Sequence, residues 1–368
     1  MTDSEAYVAF NMTDRVGSVK VDRLAAAAGS VAAAWEAYPS KVSRSGGEVD
    51  LCGEFARAKQ LGVTIVTPAD EAYPQPLRGI PGHPLALYVK GDPAALSARC
   101  VAVVGTRRAS AYGADVAQCI AHDLAAAGWC IVSGLATGID AAAHRGALDA
   151  SGLTAGIIGS GLDRFYPEEN LPLAREIASG RGAVVSEFPF GRPPDVHTFP
   201  QRNHVVAGLA AGVVVVETPL RGGTMITAGI AADLGRTVMA VPTRVDSRTG
   251  AGCLGLIRDG ATLVRGADDV MEALGSLFPP KMPAKGSSKG GAKGTAAADC
   301  GAPPEFTLEE ALVLRNIDEV GVRMDKLVET TGLAAAKVSS ICMTLRLKGR
   351  VRFLPGNRVA TVLRPGGA

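Results

Sequence analysis

The chain has 368 residues, of which 47% are apolar and 20% charged, and its formal net charge is +2. At about 150 residues per domain it has room for two or three domains, and the balance excludes both a disordered acidic chain and a bulk electrostatic sponge for nucleic acid. No apolar run approaches the roughly 20 residues that span a bilayer, and Met1-Thr2-Asp3-Ser4-Glu5 lacks the basic-then-apolar order of a signal peptide, so the expectation is a soluble cytoplasmic protein without a membrane span.

Residues 1–58 read as a helical domain, with Val21–Ala28 and Val31–Tyr38 separated by Gly29-Ser30. Residues 59–275 follow as the large domain. Its start supplies two strand-like pieces, Val63–Val66 and Leu85–Val89, on either side of the loop around Tyr73-Pro74. From there the pattern predicts strands at Val101–Val104, Cys130–Val132, Thr154–Ile158, Ala183–Ser186, Val213–Glu217, Thr237–Val241 and Thr262–Val264. Amphipathic stretches lie between them at Ala111–Ala127, Ile139–Ala150, Leu171–Ser179 and Ile226–Leu234. Strand, helix, strand at this spacing means parallel pairing with right-handed crossovers. Unbroken runs such as Val213-Val214-Val215-Val216 suit strands covered on both faces. The predicted architecture is α/β, a doubly wound Rossmann-like parallel sheet.

Residues 276–304, rich in Gly, Pro, Ser, Ala and Lys, cannot bury enough surface to fold and read as a flexible tether. Residues 305–368 predict helices at Thr307–Ile317, Met324–Thr330 and Ala335–Leu347. A hairpin then pairs Arg350–Leu354 with Arg358–Val362 around Pro355-Gly356-Asn357. Three helices and a basic hairpin are the pattern of a winged helix. Seven basic residues and no acidic one lie between Lys337 and Arg364, whereas residues 91–275 carry 15 arginines, 18 acidic residues and no lysine. A polyanion must therefore meet either a local arginine constellation in the middle or the basic C-terminal end.

In a doubly wound sheet, ligands bind beyond the carboxyl ends of the strands. The loops at that edge hold Gly105, Thr106, Arg107 and Arg108, then Ser133 and Gly134, then Gly159, Gly161 and Arg164. The loop from Phe188 to Asn203 adds Phe199, Arg202 and Asn203, and the last adds Arg221, Gly222, Gly223 and Thr224. Exposed N–H groups, helix N-termini and nearby arginines make anion sites, and several such loops along one edge suit a polynucleotide. The helix opening near Ser110 is expected to aim its N–H groups at the anion that Arg107 holds. The plainer alternative is that the glycines only shape tight β–α turns. The first loop is not G-x-G-x-x-G and no acidic residue closes the second strand, which disfavours a dinucleotide. Seven scattered cysteines without C-x-x-C spacing and five histidines without a ligand array predict no disulfide framework, no metal and no cofactor.

The motifs Val103-Val104-Gly105-Thr106-Arg107, Ser133-Gly134-Leu135-Ala136-Thr137-Gly138-Ile139-Asp140, Ala143-His144-Arg145-Gly146 and Gly159-Ser160-Gly161-Leu162-Asp163 come in order. Tyr166-Pro167, Ser186-Glu187, Phe199-Pro200-Gln201-Arg202-Asn203, Val216-Glu217, Gly223-Thr224 and Leu256-Ile257-Arg258-Asp259-Gly260-Ala261 follow. Their order and spacing resemble the DNA-processing protein A family (DprA/Smf), strongly over about residues 60–275. The helical N-terminus resembles more weakly that family's SAM-like domain, and the C-terminal end its winged helix. The resemblance implies a homodimeric single-stranded-DNA-binding protein, not an enzyme, that helps load the recombinase RecA onto incoming DNA during natural transformation. It implies that Gly105-Thr106-Arg107 contacts phosphates and that Phe199 and Arg202 line the same pocket. Arginine suits bidentate phosphate contacts. Phe199 is either a base platform or a core ring. Glu168, Val196 and His204 stand where the family commonly has basic residues, with Thr137 at a frequent Arg position, Thr243 in place of a Gly and Leu254 in place of an Asn. These departures make the pocket less positive than is typical.

Three alternatives stand beside this reading. Asp140 and His144, four apart on one helix face, form either an acid–base pair or a local hydrogen bond. The related phosphoribohydrolase-like (lysine-decarboxylase-like) enzymes would place their loop on Arg221 to Gly229. There only Gly222 and Gly223 match, and Met225, Ile226 and Gly229 take the places of Gly, Thr and the catalytic Glu. The third is a duplex-DNA regulator using Lys337, Ser340 and Thr344 on a recognition helix and Arg350, Arg352 and Arg358 on the wing.

Overall fold

The computed structural model describes residues 1–275, apart from 15, 44, 45 and 181, and residues 308–361, apart from 319, 320, 348, 349 and 355–357. Each of the two stretches belongs to its own compact unit. The tether expected at 276–304 and the hairpin turn at 355–357 lie outside the described residues.

The first unit opens with four helices, α1 (Asp3–Met12), α2 (Ser18–Ala28), α3 (Val31–Ala37) and α4 (Leu51–Leu61). Thr2 starts α1 with a capping box: its Oγ1 accepts the Glu5 N–H at 3.2 Å, and the Glu5 carboxylate accepts the Thr2 N–H at 2.7 Å. Gly29 ends α2 at a φ of 89°, and the Ser30 hydroxyl caps α3. The chain continues through β1 (Thr64–Val66), α5 (Gln75–Arg78) and β2 (Leu87–Gly91). Phe10, edge-on to Trp35 at 5.0 Å, packs in one cluster with Leu85, while Val8 and Ala58 share another with Ala86 and Tyr88. The core of the helices thus runs directly into the sheet. The division expected at 58/59 does not separate two bodies, because the apolar faces of α1 and α4 are buried by residues of the β2 segment.

The central part alternates β3 (Cys100–Val104), α6 (Ala111–Ala126), β4 (Cys130–Ser133), α7 (Ile139–Asp149), β5 (Thr154–Ile158), α8 (Leu171–Ser179) and β6 (Ala183–Ser186). It ends with α9 (Thr198–Leu209), β7 (Gly212–Val215), α10 (Gly223–Asp233), β8 (Thr237–Ala240), α11 (Ala251–Arg258), β9 (Thr262–Leu263) and α12 (Ala267–Gly275). Among the described residues the sheet runs β1-β2-β6-β5-β4-β3-β7-β8-β9. Every pair from β6 to β9 is parallel, and β1 and β2 form an antiparallel edge. The expected strands are present with ends shifted by a residue or two. Val213, Val214 and Val215 are fully buried, as a strand covered on both faces requires. The strand order reverses direction between β3 and β7.

Helices α9, α11 and α12 lie where the sequence pattern drew none. In α9 the buried run Val205–Leu209 blurs the polar face, and Pro200 reads as a breaker. Pro200 sits in the first turn, where its missing N–H has no partner to lose. Phe199, Arg202 and Asn203 therefore stand on a helix and not on a loop.

The second unit consists of α13 (Leu308–Arg315), β10 (Val322–Arg323), α14 (Met324–Thr331), α15 (Ala335–Leu347), β11 (Val351–Leu354) and β12 (Arg358–Thr361). The strands pair antiparallel in the order β10-β12-β11, over a core that includes Val313, Leu327, Val338, Cys342, Leu345, Val351 and Val359. This is a winged helix. Lys337 is paired with Glu309, and Arg358 donates to Gly321 O at 2.7 and 3.0 Å. Two cations of the expected duplex-reading face are thus engaged within the unit.

Candidate functional site

A cavity of about 340 Å³ opens at the β3/β7 reversal, beyond the carboxyl ends of both strands. Gly105, Thr106, Arg107 and Arg108 leave β3 along one side, and Thr218, Pro219 and Gly222 to Thr224 leave β7 along the other. Gly134 comes from the end of β4, and Phe199, Arg202, Asn203 and Val206 from α9. A second cavity of about 480 Å³ shares Arg107, Gly134, Phe199 and Arg202 and extends to Thr137, Gly159 and Tyr166 to Glu169.

Hydrogen bonds fix the β3 loop from both sides. Thr106 donates its N–H to Glu217 O at 2.7 Å, Ile139 donates to Thr106 O at 3.2 Å, and Thr224 Oγ1 donates to Gly105 O at 2.9 Å. Arg107 is exposed, with its guanidinium 5.1 Å from the centre of the half-buried Phe199 ring. Tyr166, 46% exposed, stands 6.2 Å beyond Phe199 at an interplanar angle of 52°. The half-buried Phe199 ring therefore lines both cavities and is not a core ring.

The helix end that faces the cavity is that of α10. Its first turn contains no acidic residue, and the N–H groups of Gly223 and Thr224 have no acceptor among the described residues. The expectation for the helix after Arg107 needs correction. The N-terminus of α6 is already occupied internally: buried Glu217 accepts from Ser110 N–H at 2.9 Å and Ser110 Oγ at 3.1 Å, and also from Thr249. An acidic residue closing the run Val213–Val216 was the available signal for that tie.

Arg202 is buried, 5% exposed, and turns inward to donate to Gly134 O and to Ile157 O at 2.9 Å. Asp140 accepts the Gly134 N–H at 3.1 Å. A Cβ on Gly134 would collide with Arg202 and come within 2.7 Å of Asp140 Oδ2, so only glycine fits between them. Burial pushes the Asp140 carboxyl above its usual range against the pull of Arg202 and the Ala136 and Gly134 N–H groups. Burial likewise lowers the Arg202 guanidinium, with Asp140 opposing. The cations left at the mouth are Arg107 and Arg108.

Not every expected residue joins this site. Ser133 is fully buried and donates its hydroxyl to Val103 O at 2.7 Å, so it faces the core rather than a ligand. Gly161 packs against Pro189 O, and Arg164 lines a separate cavity with Arg57 and Asp163. Arg221 is exposed and lines neither cavity. Asp140 and His144 do not bond to each other, because His144 Nδ1 lies 2.7 Å from Thr154 Oγ1 and its ring is fully buried. Burial drives the His144 imidazole down to about 3, with Arg202 adding to the effect. Among the described residues no group of three or more His, Cys, Asp or Glu could hold a metal, and no helix is long and apolar enough to cross a membrane. Thr218 and Pro219 belong to the last of the expected loops, whereas Val206 and Thr227, inside helices, were not foreseen as lining residues.

A family model for DNA recombination-mediator protein A matches residues 64–275, more than half of the chain. The chain belongs to the DNA recombination-mediator protein A family. The matched span contains every residue that lines the two cavities, and a model for the DprA winged helix domain matches residues 297–357. Protein Smf of Escherichia coli (strain K12) is 35% identical over 295 residues, covering 79% of this chain and 76% of its own. Protein Smf of Synechocystis is 32% identical over 400 residues, covering 97% and 99%. Among solved structures, DNA processing protein A (DprA) of Streptococcus pneumoniae superposes with a TM-score of 0.62 at 33% identity, over 74% of this chain and 98% of that one. DNA processing protein A of Helicobacter pylori, whose structure was described for its single-stranded DNA binding mode, gives 0.53 at 28% identity, over 58% and 97%. This family member therefore joins the family's α/β domain to a segment that matches the DprA winged helix model.

Proposed function

We propose that the chain binds single-stranded DNA in the cleft at the β3/β7 reversal. It then acts as a recombination mediator, a homodimer that passes the strand to RecA during natural transformation. The observation that carries this reading is the guanidinium of Arg107, set over the Phe199 ring and opposite the open first turn of α10. A cation and helix-end N–H groups draw a phosphate, and the ring beside them is a platform for an unpaired base of any identity. A duplex keeps its bases stacked away from such a ring. Gly105, Thr106, Arg107, Arg108, Gly134, Phe199, Asn203, Gly222, Gly223 and Thr224 are assigned to this interface, with Gly159 at its far end and Arg202 holding its floor.

The relatives named for DNA processing, and the Helicobacter pylori protein described for its single-stranded DNA binding, support the choice of ligand. The reading includes no catalytic step: Asp140 accepts the Gly134 N–H, and the fully buried His144 ring sets its Nδ1 against Thr154 Oγ1. Fluorescence anisotropy with one sequence offered as single strand and as duplex, without metal or nucleotide, tests the proposal. Tighter binding of the single strand is expected. Preference for the duplex would move the function to the winged helix, and release of base from nucleoside monophosphates would establish an enzyme instead.

A further inference from the structure

The larger of the two cavities is chemically unlike the smaller. Its lining brings together the cations Arg107 and Arg202, the rings of Tyr166 and Phe199, and the acidic residues Glu168 and Glu169. Both carboxylates are exposed, and no cation among the described residues pairs with either. Two uncompensated negative charges oppose a phosphate, so the part of the cleft that Glu168 and Glu169 line is poorly suited to backbone. A carboxylate is an acceptor only, and what it fits is a group that donates. In the same lining, the buried Nε of Arg202 has no acceptor among the described residues. The lining therefore combines two aromatic rings, carboxylate acceptors and guanidinium donors.

We propose that this second cavity reads the identity of one base, and that Glu168 and Glu169 make it prefer guanine. The proposal rests on the single-strand reading above and extends it from binding to selectivity. Bases of a single strand can be read on their Watson–Crick edges while they stack on aromatic rings. On that edge guanine presents N1–H and N2–H side by side, which one carboxylate accepts together, with O6 as an acceptor next to them for an arginine. Thymine presents one N–H between two carbonyl oxygens, and a carboxylate repels both. Adenine and cytosine each offer one amino group beside an acceptor nitrogen. The two cavities adjoin through a shared lining of Arg107, Gly134, Ala136, Phe199 and Arg202, so the proposal puts a phosphate in the smaller and the base of the same nucleotide in the larger.

The test uses the full chain and fluorescence anisotropy with a thymine-only 12-mer and with 12-mers carrying a single central dG, dA, dC or deoxyinosine. A good bidentate contact discriminates by about five-fold or more. At an exposed carboxylate the expected preference for dG over dT is about five- to tenfold, most of it lost with deoxyinosine, which lacks N2. In the double variant Glu168→Gln/Glu169→Gln the preference for dG disappears, while affinity for the thymine-only strand rises because two negative charges leave the cleft. Equal affinity for all the strands would overturn base reading and leave single-strand binding intact. A dG preference that survives in the double variant would overturn the assignment to these carboxylates. Failure to bind any strand would overturn the proposed function together with this one.

Discussion

Replacing Arg107 by alanine removes the exposed cation that spans both cavities. Arg202 cannot take its place, since it is buried, bonded to Gly134 O and Ile157 O and close to Asp140. Background charge cannot either, because residues 91–275 carry 15 arginines against 18 acidic residues. Losing a charge-assisted hydrogen-bond pair costs about 1.5–3 kcal/mol, which corresponds to roughly 10- to 150-fold in affinity. The same change removes an exposed cation–π contact worth about 0.5–1 kcal/mol, so folding should lose only about 1–4 °C in Tm. Titrations of a labelled single strand at several salt concentrations would show weaker binding. The slope of log K against log salt would be shallower by about 0.7, the value of one phosphate contact on a single strand. Arg107→Lys should recover part of the loss, since an ammonium supplies charge without the planar fork. Unchanged affinity and unchanged slope in a folded Arg107→Ala protein would show that the DNA path lies elsewhere.

A chain ended after residue 278 should keep its affinity for single strands, because both cavities are complete before that point; its complete loss would assign binding to the winged helix. Ser133→Ala should cost about 1 kcal/mol of stability through the lost bond to Val103 O and leave DNA affinity within about twofold, whereas a large loss of affinity at normal stability would return Ser133 to the interface. His144 is held near 3 in the folded protein against about 6.5 when unfolded. The unfolded chain binds the extra proton across that interval, so stability should fall as pH drops from about 6.5 toward 3, by up to about 1.4 kcal/mol per pH unit. Asp140, raised by burial, works in the opposite sense just above its usual range. Denaturant midpoints across this range should flatten in His144→Gln, and an unaltered slope there would refute the assignment.

The parallel strands were legible because Val and Ile runs are a strong local signal, and Val213–Val215 are buried as their composition requires. The loops that meet at the cleft followed from topology alone, since a doubly wound sheet brings its strand ends to one edge. The inward turns of Ser133 and Arg202 were not legible. Both side chains could serve a ligand equally well, and their orientation depends on Val103 O, Ile157 O and Gly134 O, which become neighbours only once the sheet is assembled. The occupied N-terminus of α6 escaped for the same reason, because Glu217 reaches it across the β3/β7 pair.

The β3/β7 pairing also has a consequence for the order of events during synthesis. One wall of the cleft, Gly105 to Arg108, is complete as soon as β3 and its loop are made, while the opposite wall, Thr218, Pro219 and Gly222 to Thr224, emerges only after β4 through α9. Closing that distant pair carries the entropic cost of a long loop. A nascent chain that has not yet placed β7 owns arginines but no bay in which to hold a strand. On the proposed reading, capture of DNA thereby becomes a property of the finished sheet, which a chain still lacking β7 does not share.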